Sequence, residues 1–201
     1  MWKTNISFGI KENERRKVSQ ILYEAFSEKF KPVFGSRKKS LRIFSRYINA
    51  PSILVARKRG EIVGVAGLKY NHVNWLKLSF FDAIREFRFA IFRVAITGFP
   101  LMASRLKGDL LLDVIAVSPE ARGKGIGTKM LRFLLSFGKQ RGLEKIRLYV
   151  ICHNKGAKVL YEKIGFTTVR LHKIPRFWRN VFGFNGYFEM EINLNYNKNI
   201  E

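Results

Sequence analysis

Arg122-Gly123-Lys124-Gly125-Ile126-Gly127 is the stretch on which the reading of this chain turns. Before it, the apolar run Asp109–Val117 reads as a strand, followed by a turn at 118–124. After it, 125–141 reads as a helix with Ile126, Met130, Leu131, Leu134 and Leu135 on one face and Gly142 past its end. Glycines let a backbone approach an anion closely, and successive amides form a concave nest for phosphate oxygens. The helix that follows adds unpaired N–H groups and the positive end of its dipole. Arg122 and Lys124 bring positive charge to the same mouth. A strand–turn–helix of this kind suits a pyrophosphate.

Three phosphate-binding patterns compete for the turn. A Walker loop needs Gly-Lys-Ser/Thr in that order, and Gly127-Thr128-Lys129 has it wrong. The dinucleotide fingerprint Gly-x-Gly-x-x-Gly needs a third glycine where Thr128 or Met130 stands. The remaining pattern, Arg-x-x-Gly-x-Gly, is met by Arg122, Gly125 and Gly127.

Working outward, 145–152 reads as a further strand and 154–163 as a short helix stopped by Gly165. The segments 166–171 and 186–194 read as closing strands. On the other side, 13–30 and 38–47 show helical spacing, with Pro51 ending the second. A hairpin of 52–57 and 61–70 turns at Lys58-Arg59-Gly60. Gly64 and Gly67 inside its second strand mark either a weak strand or close backbone approach. The interval 71–108 is the least readable, with a helix expected over 79–97 and stopped by Gly98 and Pro100. The expectation is one mixed α/β domain over 1–201.

In this order the sequence resembles the GNAT superfamily of N-acyltransferases. The resemblance runs from Leu111-Leu112-Asp113-Val114-Ile115-Ala116-Val117-Ser118-Pro119 through the glycine turn. It resumes at Asn154-Lys155-Gly156-Ala157-Lys158-Val159-Leu160-Tyr161-Glu162-Lys163-Ile164-Gly165-Phe166, similar to the family's Asn-x-x-Ala-x-x-Leu-Tyr-x-x-x-Gly-Phe. The resemblance implies a central, mostly antiparallel sheet flanked by helices, with a helical insertion before the CoA-binding strand and the CoA-binding core at 109–166. It also implies transfer of an acetyl or related acyl group from acetyl-CoA to an amine, without a metal. Ile115, Ala116 and Val117 would meet the pantetheine arm, and one of their amides would polarise the thioester carbonyl. Arg122, Gly123, Lys124, Gly125, Ile126, Gly127 and Thr128 would hold the pyrophosphate, and Asn154 would touch the CoA arm. Asp113 sits on the strand position where many relatives carry an acid, so the resemblance implies it as the proton acceptor for the amine; Tyr149 stands where some relatives instead carry a glutamate. Tyr161 is the expected proton donor to the departing thiolate. A salt-bridged strand acid is the other reading of Asp113, and a core aromatic the other reading of Tyr161. The acceptor would lie among 24–39, 71–106 and 172–186, the last holding Arg176, Phe177, Trp178 and Phe182.

Composition bounds the rest. The 201 residues carry 38 Lys and Arg against 15 Asp and Glu, a net charge of +23, which attracts polyanions. This keeps open a second class of function: a non-catalytic module of the same fold, engaging nucleic acid or an anionic membrane surface. The interleaved Arg88-Phe89-Ala90-Ile91-Phe92-Arg93 adds to that reading. The same charge argues for an acceptor that is neutral or anionic overall. A single cysteine, Cys152, excludes an internal disulfide framework, and His72, His153 and His172 lack metal-ligand spacing. No apolar run reaches the roughly 18 residues of a bilayer span, a cytoplasmic location is the expected setting, and the sequence leaves the assembly open, a homodimer included.

Overall fold

The glycine turn joins a strand to a helix as expected, and the strand it leaves is the centre of the molecule. The computed structural model describes residues 4–34, 36–71, 73–87, 109–179 and 183–194. In chain order these give β1 (Thr4–Phe8), α1 (Arg15–Phe34), α2 (Arg37–Tyr47), β2 (Ile53–Lys58), β3 (Glu61–Tyr70), β4 (Val73–Asn74), α3 (Phe80–Phe87) and β5 (Asp109–Val117). Then follow α4 (Ile126–Gln140), β6 (Lys145–Ile151), α5 (Lys155–Ile164), β7 (Thr167–Lys173) and β8 (Gly186–Asn193). The strands form one sheet in the order β1-β2-β3-β5-β6-β8-β7, with β4 beside β3. Every pairing is antiparallel except β5 with β6.

Local chemistry sets the helix ends. Ser36 caps α2 by accepting from the Lys39 amide at 3.2 Å, and Asn154 caps α5 through the Ala157 amide. Gly165, at φ 108°, closes α5 in the left-handed conformation. Helix α1 runs to Phe34 through a kink at Phe26. Of the helix expected over 79–97, α3 is described and 88–97 lies outside the described residues, as do Gly98, Pro100 and the Arg88 to Arg93 stretch.

Two apolar layers sandwich the sheet. On one face Met130, Leu131 and Leu134 of α4 meet Leu54, Ala66, Ile146 and Leu148. On the other, Val18, Ile21 and Leu22 of α1 and Ile43 and Phe44 of α2 meet Val55 and Val65. Strand β5 contributes to both. Leu110 and Leu112 join the first layer, Val114 and Ala116 the second. All four positions are even-numbered, so a regular strand would place them on one face. The switch has a local cause: β3 pairs Gly67 with Val114 but Leu68 with Leu112, leaving Asp113 as an extra residue. It is a β-bulge, which bends its strand and re-aims the side chains beyond it.

The glycines of β3 mark close approach. A Cβ on Gly64 would lie 2.8 Å from Met130 Sδ, so its absence lets the start of α4 settle on the sheet. A Cβ on Gly67 would lie 2.6 Å from the Trp75 ring and 2.8 Å from Val114 Cγ2. Gly67→Ala is therefore expected to displace Trp75 at a cost of about 1–3 kcal/mol. Thermal melting checks this, since each kcal/mol lowers the midpoint by roughly 2–4 °C in a chain of this size.

Candidate functional site

Strands β5 and β6 run side by side only from Asp109↔Lys145 to Leu112↔Leu148. Beyond those pairs, at the bulge, the ladder stops. Val114–Val117 of β5 stays paired with β3 on its other edge, from Gly67↔Val114 to Gly64↔Val117, while Tyr149–Ile151 of β6 stays paired with β8. The result is a wedge-shaped gap with the edge of β5 from Ile115 to Val117 on one wall. A chain-like ligand entering it can be bound as an added strand would be.

The glycine turn lies at the end of β5. A short helical turn, Pro119–Ala121, leads into Arg122, and Gly123 and Gly125 both sit at φ 71°. That left-handed conformation is costly for any residue with a Cβ. Gly125 is also the N-cap of α4, so no side chain satisfies the amides of the first turn, at Ile126, Gly127 and Thr128. Lys129 N already bonds Gly125 O at 3.0 Å. Orphan amides, two left-handed glycines and a helix dipole together make an anion cradle. Arg122 Nε donates to Val117 O at 3.1 Å, and Lys124 Nζ to Glu120 O at 2.5 Å, so both cations bond main-chain oxygens of the segment that leads into the turn.

Tyr161 lies in the layer beneath, 7% exposed, with its ring edge-on to Phe166 at 5.9 Å. Burial pushes its hydroxyl up to about 12, so it holds its proton across the whole working range. Asn154, at the head of the same helix, spends its side-chain oxygen on the cap at 3.2 Å, which leaves its amide NH₂ outside the cap.

Asp113 is both a bulge residue and a paired acid. Trp75 Nε1 donates to its Oδ2 at 2.6 Å, and Lys69 Nζ lies 2.9 Å from the same oxygen. Those partners come from β3 and the segment after β4, and no sequence spacing announced them. The carboxylate faces the α1–α2 layer at the mouth of the gap, since Trp75 belongs to that layer. Tyr149, the first residue of β6 past the last pair with β5, stands across the gap from it. The structure thus gathers Asp113, Ile115, Ala116, Val117 and the 122–128 turn at one opening.

The loop before β8 is described only in part. Phe177 is 72% exposed, while the Trp178 side chain and Phe182 lie outside the described residues, as does His72. Among the described residues no group of His, Cys, Asp and Glu is arranged to hold a metal ion. Among them, too, no helix is long and apolar enough to cross a membrane.

Comparison with known proteins bears on the family and the fold. A family model described as the acetyltransferase (GNAT) family matches residues 19–166. An uncharacterized N-acetyltransferase, YobR, of Bacillus subtilis (strain 168) is 43% identical over 61 residues, covering 30% of this chain and 25% of that protein. The mycothiol acetyltransferase of Beutenbergia cavernae is 39% identical over 59 residues, covering 29% of this chain and 20% of that protein. The matches thus span about a quarter or less of these relatives' own length. Among solved structures, an N-acetyltransferase from Staphylococcus aureus Mu50 superposes with a TM-score of 0.63 at 17% identity. That superposition covers 94% of this chain and 100% of the other, and shows the shared fold.

Proposed function

Because the chain belongs to the GNAT acetyltransferase family, we propose that it transfers an acetyl group from acetyl-CoA directly to a primary amine. The observation that carries this reading is the coincidence of an uncapped, glycine-lined helix start with the parting of β5 from β6. The amides of Gly123 to Thr128 hold the pyrophosphate, with Arg122 and Lys124 above it. The edge of β5 at Ile115, Ala116 and Val117 holds the pantetheine arm, and Asn154 contacts that arm through its NH₂. An amide on this edge polarises the thioester carbonyl, an effect worth about 3 kcal/mol when the donor is preorganised.

An amine must lose a proton as it attacks. Asp113 takes it on this reading, through the oxygen that Trp75 and Lys69 do not engage. Tyr161 donates a hydrogen bond to the sulfur as it leaves. A hydroxyl at about 12 facing an ordinary thiol near 8.5 makes complete proton transfer uphill, so stabilising the thiolate is its main contribution.

The reading is tested by following thiol release from acetyl-CoA with a mixture of primary amines. One amide formed per thiol released is expected, with no release in the absence of amine. Asp113→Asn is expected to lower kcat about 100-fold, as removal of a general base does. Its affinity for CoA should be unchanged, which a calorimetric titration checks.

A further inference from the structure

Past the opening, the α1–α2 side of the sheet continues over β6, β8 and β7 as a polar face with three rings on it. Tyr149 meets Tyr187 edge-on, with centroids 5.6 Å apart at 88°. Tyr187 stacks on His172 at 4.7 Å and 12°. The Tyr149 and His172 rings are 6.4 Å apart. Glu189, in register with Tyr149 on β8, lies 2.8 Å from His172 Nε2 and fixes that ring. Register places Tyr187 beside both Ile151 and His172, so the wall runs from the parting of the strands to the sheet edge.

The charge of this face differs from that of the chain. Asp109 and Asp113 on β5 and Glu189 and Glu191 on β8 meet Lys69, Lys145 and Arg147, with exposed Arg170 beside Glu189. Among the described residues that is four acids against four cations, a balance, in a chain carrying 38 Lys and Arg against 15 acids. Arg147 is the cation nearest the tyrosines in sequence, and three carboxylates already surround it: Asp109 at 3.0 Å, Glu189 at 3.4 Å and Glu191 at 3.5 Å. Burial, reinforced by Tyr149 and Glu189, pushes the Tyr187 hydroxyl up and keeps it neutral.

We propose that Tyr149, Tyr187 and His172 form the wall against which the acceptor docks, and that the acceptor is a primary amine bound as its ammonium ion with no carboxylate beside it. The negative faces of tyrosine rings attract a cation. Asp113 and Glu189 flank Tyr149 on its two sides, so a carboxylate next to the amine would meet like charge. The whole-chain charge argued for a neutral or anionic acceptor. The acceptor meets this face, and the face does not share that charge.

The inference rests on the acetyl-transfer reading, and matched amines separate the two. With saturating acetyl-CoA, initial rates are measured for phenethylamine against phenylalanine, histamine against histidine, and agmatine against arginine. Each decarboxylated member is expected to have kcat/KM about tenfold higher or more. Glu189→Gln should narrow that ratio. Tyr149→Ala should raise KM for the amine while the Kd for CoA stays constant, and Tyr149→Phe should keep the wild-type KM. Equal or reversed preference within the pairs overturns the inference, as does a ratio unmoved by Glu189→Gln. Rejection of all six amines by a protein that acetylates some other acceptor also overturns it. Failure of the wild-type protein to bind acetyl-CoA overturns the acetyl-transfer reading instead.

Discussion

Gly125→Glu should lose at least about 100-fold in acetyl-CoA affinity while keeping the fold. Gly125 sits at φ 71°, and a Cβ there would meet nothing within 4 Å. The new side chain therefore enters the cradle mouth, leaving the core undisturbed. The left-handed conformation costs a residue with a Cβ about 1–2 kcal/mol. A carboxylate about 5 Å from a phosphate charge adds roughly 3 kcal/mol of repulsion at an effective dielectric constant of 20. Gly125→Ala carries the first cost without the second and should retain most of the affinity. Calorimetric titration of both variants separates strain from charge, with circular dichroism confirming that each is folded. Equal affinities for wild type and Gly125→Glu would place the pyrophosphate elsewhere. A non-catalytic module of this fold would pass this test too, and would fail the thiol-release assay.

Tyr161→Phe should lower kcat about 100-fold and leave CoA affinity within twofold, because the hydroxyl matters only as negative charge develops on sulfur. Stability should hold or rise slightly. The residue is 7% exposed, its hydroxyl makes no hydrogen bond among the described residues, and burial alone pushes that hydroxyl up to about 12. Removing a partly desolvated hydroxyl without a partner relieves part of that cost. Full turnover in a folded Tyr161→Phe protein would reduce this residue to a packing ring against Phe166.

The glycine turn, the two flanking helices and the strands β2, β3, β5, β6, β7 and β8 were legible because each is a local signal. Glycines at fixed offsets, a capping Asn154 and one apolar stripe per helix read directly from the chain. Edge strand β1 was not legible. Thr4–Phe8 offers two apolar residues on alternate positions and little else, and its pairing with β2 comes from across the sheet. The bulge at Asp113 was hidden for a different reason. Leu110 to Leu112 and Val114 to Val117 are all apolar, so the switch of faces leaves no break in the alternation. Asp113 was named as a functional candidate, yet Trp75 and Lys69, which hold it, are 38 and 44 positions away. The ring wall was equally out of reach. Tyr149 stood out as a departure from the family pattern, but Tyr187 and His172 join it only through the register of β7 and β8.

The most direct test of the account is a map of backbone amide shifts in the isotope-labelled protein as CoA is added. The cleft assigned here predicts large shifts at Ile115 to Val117 and Gly123 to Thr128, with smaller ones at Asn154. It predicts none on β1 and β2, on the far side of the sheet. Shifts confined to other surfaces, or no shifts at millimolar CoA, would contradict it.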